Sequence, residues 1–193
     1  IGYEAGRNVS ADWNVIIGAT AGTNNEGIHN IILGNEAGIA NEGGFNVLMG
    51  YQAGQNNTSD FNLILGTAAG VSNSGLFNSI IGYQAAQNNS GQDNAIIGTN
   101  AGTNNTGQQN LILGYSAGTD NTSDFNSIIG NSAGINNSGM FNNIIGYQAG
   151  QNNSGQSNTL LGENAGTANA GWFNNIIGDT AGASNAGWFN NIM

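Results

Sequence analysis

The sequence predicts an all-β fold: a parallel β-solenoid, or β-roll, with one sixteen-residue repeat per turn and twelve turns. Three observations predict it. The period is strict. Written in sixteens, the chain is twelve copies plus one residue, from IGYEAGRNVSADWNVI through IGATAGTNNEGIHNII to IGDTAGASNAGWFNNI, with no insertion or deletion. The composition opposes helix, because 33 glycines in 193 residues would each cost a helix about 1 kcal/mol. Proline is absent altogether, as expected where backbone N–H groups bond to the neighbouring turn and a proline would delete one such bond.

Each repeat is read as a short strand, a corner, a second short strand and a corner. Neighbouring turns stack at about 4.8 Å, so twelve make a rod about 55–60 Å long. The phrase N-x-I-I-G, positions 14 to 2 of the repeat, is the long strand. Side chains alternate along a strand, so positions 14, 16 and 2 face one way and 15, 1 and 3 the other. The first set is nearly constant and marks the interior. Its apolar core row is Ile16, Ile32, Leu48, Ile64, Ile80, Ile96, Ile112, Ile128, Ile144, Leu160, Ile176 and Ile192.

The second set contains an equally constant apolar row where solvent is expected. Ile1 begins it, followed by Ile17, Leu33, Met49, Leu65, Ile81, Ile97, Leu113, Ile129, Ile145, Leu161 and Ile177. An exposed apolar stripe of this length marks an interface, so this row is expected to be covered by other chains of the same kind. The competing reading is a bend at the Ile–Ile doublet that turns both residues inward in a monomer.

Asparagine amides can hydrogen-bond along a stack of identical turns. Position 14 is the expected ladder: Asn14, Asn30, Asn46, Asn62, Asn78, Asn94, Asn110, Asn126, Asn142, Asn158, Asn174 and Asn190. Position 9, Asn in all copies but one, is expected to shape a corner, since Asn tolerates left-handed conformations. Glycines at positions 2, 6 and 11 are expected to supply corners with positive φ. Position 13 is mostly aromatic (Trp13, Phe45, Phe61, Phe77, Phe125, Phe141, Phe173, Phe189), whereas positions 3, 4, 7 and 15 drift. A weaker echo runs at four copies: NTSDFN at 57–62 returns at 121–126.

Eleven acids against Arg7 alone, a net charge of −10, exclude the electrostatic footprint of nucleic-acid binding and a basic patch for anionic membranes. No run of eighteen apolar residues exists, so no membrane-embedded helix is expected in this segment. The chain opens within a repeat and closes as the next would begin, so residues 1–193 are read as a single array excerpted from a longer fibre.

FNSIIG (77–82 and 125–130), FNNIIG (141–146) and DNAIIG (93–98), each followed by xxA and mostly by AG, resemble the head repeats of trimeric autotransporter adhesins, the YadA-like family, and similar motifs of phage tail fibres and bacterial surface fibres. The family's asparagine matches Asn78, Asn94, Asn126 and Asn142, and its apolar pair matches Ile80–Ile81, Ile96–Ile97, Ile128–Ile129 and Ile144–Ile145. The resemblance implies a left-handed roll, three chains side by side, and a location outside the cell, on its surface or on a virion fibre. The turn is slightly longer than the family's usual one, and the position-13 aromatic departs from its pattern.

No catalytic, metal or cofactor site is expected. His29, the only histidine, occupies the aromatic position 13 and reads as a packing substitute. The acids fall at scattered repeat positions, without the positioned pair that acid–base chemistry needs. Sequons begin at Asn8, Asn56, Asn57, Asn88, Asn104, Asn121, Asn136 and Asn152; in so Asn-rich a chain they arise by composition, and any sugar belongs at the 8–9 corner.

The function read from all this is a structural or adhesive extracellular fibre, a homo-oligomer with the trimer favoured, possessing no enzyme activity. The alternative is a phage tail-fibre shaft or receptor-binding head contacting a host surface glycan or protein, with Tyr3, Tyr51, Tyr83, Tyr115, Tyr147, Trp172 and Trp188 as sugar contacts. An ice-binding solenoid ranks below both, because Thr20, Thr23, Thr103, Thr119, Thr167 and Thr180 do not align over successive turns.

Overall fold

Every sixteen residues the chain returns one strand to the same sheet. The computed structural model describes residues 1–193 and contains twelve strands and no helix. Strands β1 (Val15–Ile17), β2 (Ile31–Leu33), β3 (Val47–Met49) and so on to β12 (Asn191–Ile192) form a single parallel sheet in sequence order. Register is constant at sixteen: Val15 pairs with Ile31, Ile80 with Ile96, Leu160 with Ile176. The molecule is a β-solenoid, as the period predicts.

Each turn holds one strand, not two. The expected second strand is replaced by a run of turns over positions 2 to 8. In the turn beginning at Ile145, φ is 142° at Gly146, 55° at Gln148, 60° at Gly150 and 56° at Asn152. A strand needs negative φ throughout, so alternation of hand at every second residue curls this arc and prevents a second sheet. Inter-turn bonding persists nonetheless. Gln148 N–H donates to Asn131 O (2.9 Å), Gly150 N–H to Ala165 O (2.9 Å) and Asn152 N–H to Ile135 O (2.8 Å). Only 22 of the 130 backbone hydrogen bonds lie within strands, so the coil is held around its circumference and not by the sheet alone.

Three non-glycine residues in every turn, at positions 4, 8 and 13, adopt φ between 50° and 67°. They include Thr20, Thr180 and seven phenylalanines, residues that avoid this region. Such conformations cost about 1–3 kcal/mol each and persist only where surroundings over-determine them. Here the inter-turn bonds donated from positions 4, 8 and 13 do so.

The glycines serve two purposes. Position 2 combines φ of 132–143° with close approach to the carbonyl of the next turn. Position 11 was expected to need positive φ and does not have it. A Cβ on Gly27, Gly43 or Gly139 would run into the position-11 carbonyl of the following turn and an Asn amide, so glycine is favoured there although Ser59 and Ser123 show that a turn can accommodate a side chain.

The interior is narrow. Its apolar part is one Ile or Leu at position 16 and one Ala at position 5 per turn, sealed from solvent through most of the coil. Burying an Ile contributes about 1.5–3 kcal/mol. The rest of the interior is polar: both asparagine rows are buried, and no buried side-chain polar atom lacks a partner.

Candidate interaction surface

The doublet that alternation makes awkward is divided between the two faces of the sheet. Ile144 is sealed and Ile145 is 38% exposed, so the strand is straight and the inward bend is not what the chain adopts. The whole position-16 row lies inside, with Ile16 and Ile192 partly buried at the two ends. The position-1 row lies outside, from Ile17 at 42% exposure to Ile97 at 37%, with Leu33, Leu65, Ile81 and Ile129 slightly more covered. Each of these residues is flanked in register by its equivalents one turn above and below, and more than a third of most of them meets water.

Position 15 stands beside this row on the same face. Its N-terminal members are Val15, Ile31, Val47 and Leu63, followed by Ser79 and Ala95; the last are Asn143, Thr159, Asn175 and Asn191. None of the eleven acids occupies position 15 or position 1. They sit at positions 3, 4, 8, 10, 12 and 13, so the sheet face is uncharged while its margins are acidic. Arg7, the one cation, pairs with Glu4 at 3.4 Å in the first turn.

Along one margin runs a ladder of rings. Trp13, His29, Phe45, Phe61 and Phe77 stack in sequence with centroid separations of 5.9, 4.8, 5.0 and 5.1 Å and planes within 22° of parallel. The ladder stops at Asp93 and Gln109, resumes as the pair Phe125–Phe141, stops at Ser157 and ends as Phe173–Phe189, beside stacked Trp172 and Trp188. His29 is a rung of this stack, as its position implied. The tyrosines at position 3 are exposed and two or three turns apart, so they do not stack on one another.

Both asparagine rows link successive turns, and the corner role expected of position 9 falls to its neighbour. Position 9 is not a corner; its side chains are buried, and the left-handed corner residue is its neighbour at position 8. It is position 9 that forms the amide-to-amide ladder. Asn41 Nδ2 donates to Asn25 Oδ1 (2.7 Å), Asn89 to Asn73 (2.8 Å), and the chain of bonds runs unbroken to Asn185. The second hydrogen of each amide meets the position-11 carbonyl of its own turn, as Asn89 does with Gly91 (2.9 Å). The position-14 row, Asn14 to Asn190, joins turns through the backbone instead. Asn94 Oδ1 accepts from Asn110 N–H (2.8 Å), and Asn94 Nδ2 donates to Gly107 O (3.0 Å).

The four-turn echo has a structural counterpart. Ser59 replaces glycine at position 11, and its Oγ donates to Gly75 O (2.7 Å) while accepting from Asn62 and Asn73 Nδ2 (3.0 Å each). Ser123 repeats this with Gly139, Asn126 and Asn137. The hydroxyl stands between the position-14 amide and the carbonyl it would otherwise reach.

Other sequence-level candidates are sorted by burial. Asn57 and Asn121 are sealed inside and cannot accept a sugar in the folded chain, whereas Asn8, Asn56, Asn88, Asn104, Asn136 and Asn152 share one exposed column at position 8. Thr23, Thr103, Thr119 and Thr167 hydroxyls are used internally, each donating to the carbonyl three residues before it at 2.8–3.1 Å. No cavity opens in the coil, no cluster of three metal-ligating side chains occurs, and no helix is long and apolar enough to cross a membrane. No family model, curated protein or solved structure matches this chain.

Proposed function

We propose that this chain is a structural and adhesive element of an extracellular or cell-surface fibre, in which identical coils pack side by side through the position-1 row, leaving the position-13 margin and the position-15 row beside it open. The observation that carries the reading is the position-1 row: an aliphatic column along every strand, uncharged, continuous and without a partner in the single chain. Monomeric proteins rarely leave a contiguous apolar patch of this extent in water. The interior supplies only one large apolar side chain per turn, so covering the outer column would add comparable apolar burial to each turn. Three coils around a common axis is the arrangement implied by the likeness of FNSIIG and FNNIIG to trimeric adhesin repeats.

The other properties suit a fibre outside a cell. The repeat stacks without a break, its backbone bonds run along the long axis, and Arg7 is the single cleavage point for a trypsin-like protease. Sedimentation equilibrium of the purified chain tests the association directly. A species of three times the 19.6 kDa chain mass is expected, and replacing Leu65, Ile81 and Ile97 together by serine is expected to return it to the monomer with its β circular dichroism retained. A wild-type chain that stays monomeric at high micromolar concentration overturns the reading.

A further inference from the structure

We propose that the N-terminal aromatic ladder and the aliphatic row beside it form a binding groove for elongated, planar aromatic cations lying parallel to the coil axis. The groove has two walls. One is the stack Trp13–His29–Phe45–Phe61–Phe77, and the other is Val15, Ile31, Val47, Leu63 and Ser79 at position 15. Position 14 between them turns inward, so the two rows stand out from the surface about two residues apart, roughly 6–7 Å. Constant register carries the groove straight across five strands, about 20 Å from Trp13 to Phe77.

The ligand class follows from shape and charge. The ladder rings face one another along the axis, so what they offer a ligand is a continuous line of half-exposed ring margins, matched by a long flat molecule and not by a compact one. Without any enclosing cavity, affinity has to accumulate over several turns. Asp12 and Asp60 adjoin the ladder at position 12, the chain carries −10 overall, and Arg7, its only cation, lies at position 7 of the repeat and not among the groove residues. A positively charged ligand is therefore drawn in and an anionic one of the same shape is repelled. The C-terminal turns lack these features together: Phe125–Phe141 and Phe173–Phe189 are only two rings long, and Asn143, Thr159, Asn175 and Asn191 are polar at position 15.

Thioflavin T, an elongated three-ring cation whose fluorescence rises when rotation between its two ring systems is restrained, is the probe. Titrated into the purified chain at low ionic strength, it is expected to give a saturable rise in fluorescence that weakens with added salt. Phe45→Ser with Phe61→Ser is expected to weaken binding roughly tenfold, since each lost aromatic contact is a small free-energy step. Ser157 already occupies position 13 with φ of 56°, so the fold accepts serine there, and unchanged circular dichroism will verify it. Phe125→Ser is expected to leave the titration unaltered. Absence of a saturable signal, an unchanged affinity in the Phe45/Phe61 variant, or equal weakening by Phe125→Ser overturns the proposal.

Discussion

Ile144 and Ile145 share a strand and a residue type, and each belongs to its own row of equivalents along the whole rod, yet the first is sealed and the second is 38% exposed. The two sides of the sheet teach different lessons about constancy. Inside, a residue is constant because it must fit its own copies above and below: Ile96 packs on Ile80 and Ile112, and Asn89 hydrogen-bonds to Asn73 and Asn105. Outside, position 1 is only partly covered by its own copies, yet it stays a large aliphatic in every turn, whereas the neighbouring position 15 drifts from valine to asparagine. Constancy on the wet face exceeds what partial contact between turns enforces at position 15 beside it.

The contrast can be broken at several places. The largest effect belongs to the polar interior. Asn89→Ala removes the donor to Asn73 Oδ1 and Gly91 O and the acceptor of Asn105 Nδ2. Each buried group left without a partner costs about 1–3 kcal/mol, so a loss of about 4 kcal/mol, measured by denaturant unfolding and by hydrogen exchange in the flanking turns, is expected. A loss below about 1 kcal/mol would show that water repairs the ladder. The apolar interior comes next. Ile96→Ala should cost about 3 kcal/mol through lost burial and a cavity, whereas Ile97→Ala, one residue away, should cost a dissociated chain under about 1 kcal/mol. Equal losses at the two sites would erase the distinction between the faces. The smallest effect is a gain. Thr20 holds φ of 54° in an exposed arc, and Thr20→Gly relieves that conformation, so a rise of about 0.5 kcal/mol in stability is expected. A fall would mean that the Thr20 Oγ1 bond to Ala19 O (2.8 Å) outweighs the strain.

Much of the wet face is legible in the sequence. Placing Ile80 inside and Ile81 outside needs only the two-residue period of a strand and the sixteen-residue repeat. The array's missing prolines and its position-16 row were legible for the same reason. The asparagines were not. Positions 9 and 14 carry the same residue in nearly every turn, and sequence cannot say which amide meets another amide and which meets a backbone carbonyl. That choice depends on how far each Cα stands from its copy and which way the intervening carbonyl points. Local propensity also misled at Phe61 and Phe141, whose positive φ no preference scale would suggest, and at positions 2 to 8, where a second strand was the natural expectation.

By itself the sequence determined the period, the number of storeys and which aliphatic of each doublet lies inside, because an identical unit repeated without gaps can stack in only one register, and strand alternation does the rest. The tertiary structure decided the hand of each backbone corner, the single strand per turn and the division of labour between the asparagine rows. Those features arise from hydrogen bonds between residues sixteen apart, whose combined pull on an N–H or carbonyl exceeds what any one residue prefers alone.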